Sequence, residues 1–256
     1  MANNLSKTQV DKLGYSLRKV DITEADLRML DEYRRSFSEA YEFVVGAIRN
    51  ELGLEPTGRP AKSTTSISEK LLRESIRLTQ IQDIAGCRLI VDDVPEQEEV
   101  VMSLTKLFTN STIVDRREQP SHGYRAVHVI VKDRNKLVEV QIRTSLQHAW
   151  AELSEKLSDV VNPGIKYGGG DKKDQDLLTE YSGLIVDEES FEAELARDAQ
   201  RLSVLLSHGS LTQEEQEAVL VSRKTTDATR EQVLSLRQRM LRLLRKAIEN
   251  LPERKL

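Results

Sequence analysis

The stretch LVEVQIRT, from Leu137 to Thr144, places Glu139, Gln141 and Arg143 on one side of a strand and Val138, Val140 and Ile142 on the other. A carboxylate in such a polar row can hold a cation or take a proton, so this row is the first candidate for chemistry. Upstream, GYRAVHVIV alternates in the same way, with Val127, Val129 and Val131 on one side and His128 on the other. Asp133, Arg134 and Asn135 read as a turn between them, which makes the pair a hairpin. If both valine rows cover one core, odd positions of the first strand pair with even positions of the second, and His128 shares a face with Glu139. The same alternation also fits a hairpin whose charged face is simply solvated.

Three other segments carry reactive residue types, each with a structural reading beside the functional one. Arg59, Lys62, Ser66 and Lys70 bring cations and a hydroxyl to the start of a helix, where free amides and the dipole favour phosphate. A capped surface helix after a loop would look the same. Asp83 precedes Gly86 and a buried strand from Arg88, so a carboxylate and a guanidinium emerge at a sheet edge; a cap or an Asp to Arg ion pair is the plainer account. In SHGYRAVH, Gly123 frees the backbone to turn and leaves Tyr124 at the mouth of a strand. Tyr124 equally fits a core position, and His128 a structural histidine.

These residues need a scaffold, and its elements follow from periodicity. Helical spacing runs through Val10, Leu13, Leu17 and Val20. A second, longer helix carries Leu27, Leu30, Phe37, Tyr41, Val44, Ile48 and Leu52, opened by a cap of Thr23 with Asp26. After the loop GLEPTGRPAKSTTS, another helix takes in Ile67, Leu71 and Ile76. Strands and helices then alternate: RLIVD as a buried strand, a helix from Pro95 to near Thr109, a strand near 111–116, the hairpin, and a helix opened by Thr144 that carries Leu146, Trp150, Leu153 and Leu157. This order predicts an α/β (α+β) fold, with a mixed, largely antiparallel sheet flanked by helices. NPGIKYGGGDKK reads as a flexible connection, and only helical signals follow it.

Composition narrows the classes. A chain of 256 residues can bury a sizeable core, and its single cysteine, Cys87, cannot form an internal disulfide. The N-terminal segment lacks the apolar stretch of a signal peptide and no run approaches the ~20 apolar residues of a membrane span, so a soluble, cytoplasmic protein is expected. The net charge of -4 argues against a nucleic-acid coat over the whole surface but leaves room for a local basic patch. From Arg230 to Leu256, eight Lys or Arg stand against three Glu. Val233, Leu236, Met240, Leu243 and Leu251 share one helical side there, leaving Arg237, Arg239, Arg242 and Lys246 largely on others. Phosphate contacts by such a row would make RNA binding fall with salt, and a solvated helix face accounts for it as well.

In order and spacing, QDIAGCRLIV, SHGYRAVHVIV and LVEVQIRTSLQHAWAELSEKL resemble the synthetase domain of the RelA/SpoT homologues, the alarmone synthetases, from Gly58 to Tyr167. The resemblance implies a nucleotidyltransferase-like fold. It also implies a pyrophosphokinase reaction, in which the β,γ-pyrophosphate of ATP moves to a ribose 3'-hydroxyl with release of AMP. ATP is then the donor and Mg²⁺ the cofactor, with Asp83 and Glu139 matching the family's catalytic and metal-binding carboxylates; Glu139 serves as base, metal ligand or both. Arg59, Lys62, Ser66, Lys70 and Arg88 match positions that hold ATP. Tyr124 matches the aromatic residue on which the acceptor base stacks, and His128, Arg125 and Gln141 are placed with it on the acceptor side. Residues 1–56 become N-terminal helices packing on the core, 57–170 the synthetase core and 171–256 a C-terminal helical region. No His-Asp hydrolase motif precedes the core and no long regulatory extension follows it, so a small, single-activity member is expected.

Departures from the family pattern bear on the acceptor. Many members that use GDP or GTP have a lysine and an asparagine just before the GY pair, where this chain has Pro120 and His122. Glu96 stands near the expected place of a second adenine-sandwiching arginine. TGRPAKSTTSISEKL, QDIAGCR and HAWAEL resemble the toxic small alarmone synthetases, which implies the 3'-CCA end of tRNA as acceptor. A guanine nucleotide, GDP or GTP, is the alternative, and a non-catalytic nucleotide- or RNA-binding regulator the third reading. Retention of both Asp83 and Glu139 argues against the third. The toxic branch also implies a neutralising antitoxin protein, for which the ATP loop or Tyr124 is the expected target, and the C-terminal helices could serve homo-oligomerisation.

Overall fold

The computed structural model describes residues 5–19, 21–207 and 211–252, together with the backbone but not the side chain of Arg59. Val20 and the basic residues Arg254 and Lys255 therefore lie outside the described residues. Helices α1 (Lys7–Ser16) and α2 (Glu24–Arg35) each open on a reciprocal capping box, Ser6 with Gln9 and Thr23 with Asp26. The long second helix expected from periodicity is in fact two, because α2 stops and α3 (Ser38–Leu52) restarts after Ser36 and Phe37. Ser36 donates its hydroxyl to the Tyr33 carbonyl at 2.5 Å, and the Phe37 amide bonds back only three residues, to Arg34. Lys136 fills the break, 2.7 Å from Ser36 Oγ and 4.6 Å from the Phe37 ring centroid.

The chain continues through β1 (Thr57–Arg59), α4 (Thr64–Glu74), β2 (Ala85–Val91), α5 (Val94–Leu107), β3 (Ser111–Asp115), β4 (Val127–Asp133), β5 (Lys136–Thr144), α6 (Ser145–Val160), α7 (Lys172–Ser207) and α8 (Gln213–Glu249). Ile76 falls outside α4, contrary to expectation, because Ser75 turns left-handed at φ 51° and ends the helix. The strands form one mixed sheet in the order β1-β2-β5-β4-β3, with β1/β2, β3/β4 and β4/β5 antiparallel. Contacts divide the chain into two compact units. The first comprises residues up to 89, 101–115 and 127–142, and the second 90–100, 116–126 and those from 143 onward.

In the first unit the hairpin has the expected parity. Val127 faces Ile142, Val129 faces Val140 and Val131 faces Val138, and all six are buried. His128 faces Gln141 and Ile130 faces Glu139, so His128 and Glu139 share the other side as diagonal neighbours. The turn is only Arg134 and Asn135, both at positive φ (45° and 62°), the geometry that matches strand twist in a two-residue hairpin.

In the second unit α6, α7 and α8 pack around Leu146, Trp150, Leu153, Leu157, Leu178, Ile185 and Leu244. The apolar stripe of α8 is one step away from the expected one. Val233, Arg237 and Leu244 are buried, whereas Leu236 and Leu243 are half-exposed. Arg237, assigned by spacing to an outer face, instead enters the interior to meet Glu188 and Glu192 of α7. The glycine-rich connection before α7 holds a single 3-10 turn, Ile165–Tyr167, whose Ile165 is fully buried. No helix among the described residues is long and apolar enough to cross a membrane.

Candidate active site

Glu139 owes its setting to a glycine on the next strand. A Cβ added at Gly86 would lie 2.7 Å from the Glu139 carbonyl oxygen, so the close approach of β2 to β5 tolerates no side chain there. The face of β2 opposite Gly86 and Arg88 is the buried row Ala85, Cys87, Leu89 and Val91. The hairpin's polar face is not solvated: Glu139 is only 9% exposed. Its Oε1 lies 3.0 Å from His128 Nδ1, and its Oε2 accepts the Gln141 amide at 2.7 Å. Burial would raise the Glu139 carboxyl and Asp83 adds to that, but the hydrogen bond and charge of His128 outweigh both and hold it below its ordinary value.

Asp83 is held by two lysines from the loop and helix before it. Lys62 Nζ lies 2.6 Å from Oδ2 and Lys70 Nζ 3.1 Å from Oδ1. The Lys62 amide bonds the Ile84 carbonyl at 2.8 Å, which pins the loop beside Asp83. Lys70 projects from the second turn of α4, a helix opened by Ser63, whose Oγ accepts the Ser66 amide and donates to the Ser66 hydroxyl. Burial again pushes the Asp83 carboxyl up, yet the two ammonium groups overturn that and hold it at about 2. Of the residues singled out by sequence, Lys62, Ser66, Lys70, Asp83, Arg88, His128, Glu139 and Gln141 all lie in the first unit. Arg59 ends β1 opposite Gly86, and its side chain lies outside the described residues.

The donor chemistry suits a hard divalent cation. Such an ion takes oxygen ligands and commonly uses one or two carboxylates, completing its shell with water and phosphate oxygens. The Asp83 charge is felt at the Glu139 carboxyl, and among the described residues no cluster of three acidic, His or Cys side chains exists to hold a metal alone. Each of the four carboxylate oxygens now has a cationic or polar partner. Asp83 and Glu139 would hold such an ion together with a phosphate group that takes Lys62 and Lys70 from Asp83.

Tyr124 and Arg125, the remaining predicted residues, belong to the second unit. They close a tight turn in which Ser121 and Tyr124 exchange backbone hydrogen bonds of 3.3 and 3.0 Å, with His122 at φ 52° and Gly123 at φ 85°. Gly123 thus serves the turn, as expected, and a Cβ there would also meet Trp150 at 2.8 Å and Ser182 at 3.2 Å. Arg143 donates to Tyr124 Oη at 3.0 Å, with its guanidinium 5.1 Å from the ring centroid. Arg125 donates to the Arg117 carbonyl at 2.8 Å and pairs with Glu189 at 3.4 Å. Sequence reasoning placed Arg143 in the polar row but gave it no role, and it missed Glu189 altogether. No local signal marks an acidic residue in the middle of a long helix as buried.

Residues 58–158 match the family described as the region found in RelA / SpoT proteins. An uncharacterized protein of Mycobacterium tuberculosis is 40% identical over 111 residues, which are 42% of this chain and 41% of that protein. A GTP pyrophosphokinase of Bacillus subtilis is 33% identical over 161 residues, 56% of this chain and 65% of the relative. The chain thus spans less than two thirds of the length of these curated relatives. The crystal structure of small alarmone synthetase 1 from Bacillus subtilis superimposes with a TM-score of 0.50 at 28% identity, covering 70% of this chain and 100% of that one.

Proposed function

We propose, from the match of residues 58–158 to the region found in RelA / SpoT proteins, that the protein is an ATP-dependent pyrophosphokinase. It moves the β,γ-pyrophosphate of ATP to a ribose 3'-hydroxyl and releases AMP. The observation that carries this reading is the pair of carboxylates, half-buried Asp83 and buried Glu139, with Lys62 and Lys70 already beside the first. An entering triphosphate competes for those lysines more strongly than one carboxylate does, so Lys62 and Lys70 pass to phosphate oxygens, joined by Arg59, Ser66 and Arg88. A divalent cation, Mg²⁺, held by Asp83 and Glu139 would offset phosphate charge during transfer.

Glu139 is ionised at neutral pH because its carboxyl is held low, and it accepts the proton of the attacking 3'-hydroxyl. The hydroxyl oxygen bonds to the β-phosphorus as the bond from that phosphorus to the α,β-bridging oxygen breaks. AMP leaves with the electron pair. His128 and Gln141 keep the Glu139 carboxylate oriented, while Tyr124 offers a ring to the acceptor base and Arg125 stands next to it.

For the acceptor we propose the 3'-CCA adenosine of tRNA, which would make the protein a translation-inhibiting toxin of the cytoplasm with a neutralising antitoxin as its partner. Pro120 and His122 stand where a phosphate-binding lysine and an asparagine would serve a free guanine nucleotide, and Arg239, Arg242, Arg245 and Lys246 are all exposed on α8. The likeness to a GTP pyrophosphokinase favours GDP or GTP as a second reading. ATP labelled in its terminal phosphates, offered with Mg²⁺ and deacylated tRNA, GDP or GTP, separates them. Label on tRNA is the expected result, label on the guanine nucleotide selects the second reading, and no transfer to any acceptor overturns the enzymatic assignment.

A further inference from the structure

Helix α7 lies in the region that sequence set apart from the synthetase core, yet its side chains hold the turn carrying Tyr124. Ser182 Oγ donates to the Gly123 carbonyl at 2.9 Å. Two turns further along, past Ile185, the Glu189 carboxylate is 4% exposed and bonded on both oxygens. Its Oε1 accepts from Thr144 Oγ1 and Gln147 Nε2, each at 2.8 Å, and its Oε2 pairs with Arg125 at 3.4 Å. Thr144 caps α6 and directly follows Arg143, whose guanidinium bonds and overlies Tyr124. The residues before and after Tyr124, and the residue after the arginine on its ring, are therefore all fixed from α7.

A buried charge is costly and, for stability alone, is often replaceable by apolar packing. Glu189 is kept where all its donors belong to the turn or to the start of α6. We infer that Glu189 and Ser182 are positioning residues for the acceptor, setting the attitude of the Tyr124 ring and of Arg125 without touching the reacting atoms. The inference rests on the reading of Tyr124 as acceptor platform, and it extends the functional core past residue 170.

The test is steady-state kinetics on the full chain with deacylated tRNA and with GDP as acceptors, comparing Glu189→Gln, Ser182→Ala, Tyr124→Ala and Glu188→Gln. Glu189→Gln and Ser182→Ala are expected to raise the acceptor KM about tenfold, with the ATP KM and kcat within about twofold of the parent. Ser182→Ala carries the test if Glu189→Gln fails to fold. Glu188→Gln, which alters a buried pair that does not touch the turn, should leave the acceptor KM where it was. An acceptor KM raised by Tyr124→Ala but unmoved by either α7 variant overturns the inference. An acceptor KM unmoved by Tyr124→Ala overturns the platform reading itself, and the inference with it.

Discussion

Two charge clusters in this molecule, one half-buried and one buried, use the same ingredients in opposite proportion. In the first unit, Asp83 has two lysines to itself and is held at about 2. In the second, Arg237 of α8 is shared by Glu188 and Glu192 of α7, and burial pushes the Glu188 carboxyl up to about 7 despite that arginine. On the proposed function, the excess cation of the first cluster meets an incoming polyanion. The second has no charge to spare: Glu188 Oε2 and Glu192 Oε1 are buried without a hydrogen-bond partner, and Arg237 also donates to the Asp92 carbonyl at 3.1 Å. Burial alone therefore does not mark a functional site. The ratio of cation to carboxylate separates a binding basin from a structural clasp.

The largest effect expected from this contrast is chemical. Glu139→Gln should lower turnover by about a thousandfold or more while leaving ATP affinity, measured by equilibrium binding, close to that of the parent. Turnover within about tenfold would remove Glu139 from the mechanism. Next comes the clasp: Arg237→Ala leaves two glutamates unpaired in the interior and should cost about 3–5 kcal/mol in denaturant unfolding. A cost below about 1 kcal/mol would mean that the clasp also tolerates losing its cation. Lys70→Ala should weaken ATP binding about tenfold yet change stability by no more than about 1 kcal/mol, since Lys62 remains on Asp83.

The smallest expected effect concerns pH, and the two clusters have opposite signs. Glu188 titrates higher in the folded chain than its ordinary 4.5, so its unfavourable contribution fades as pH falls from about 7 toward about 4.5. Wild type should accordingly gain stability relative to Glu188→Gln between about pH 8 and about pH 5.5 in thermal melts. Asp83 titrates lower than its ordinary value, so its favourable contribution is complete above about pH 4 and is lost only toward about pH 2. The same melts on Asp83→Asn should show a pH-independent difference from wild type across that range, and a slope there would contradict the ion pairing described.

The hairpin was legible because parity is arithmetic: two valine rows on one core leave a single face for His128 and Glu139. Asp83 and the glycine beside it were legible as a motif, although the physical reason for Gly86, the backbone of Glu139 against its Cα, was not. The breaks in periodicity escaped for a common cause. α2 stops at Ser36, which bonds back to Tyr33 and holds Lys136, a hundred residues later. Arg237 turns inward because its partners lie 45 and 49 residues earlier. A charged residue at helical spacing reads as exposed until the opposing charge is placed, and that placement is a tertiary fact. The pairing of Lys62 and Lys70 with Asp83 is of the same kind, since the types were read from the loop and the contact from the fold.

Cys87 sits on the covered side of β2, and burial, with the Glu139 charge, pushes its thiol up to about 12. It is the chain's one sulfhydryl, so the native protein should be nearly silent toward alkylating reagents at neutral pH. That silence makes the chain a ready platform for site-directed spectroscopy. A cysteine placed at exposed Ser121, beside the Tyr124 turn, would be the position a maleimide dye labels, and the dye's anisotropy could follow acceptor loading in real time with the native Cys87 left in place.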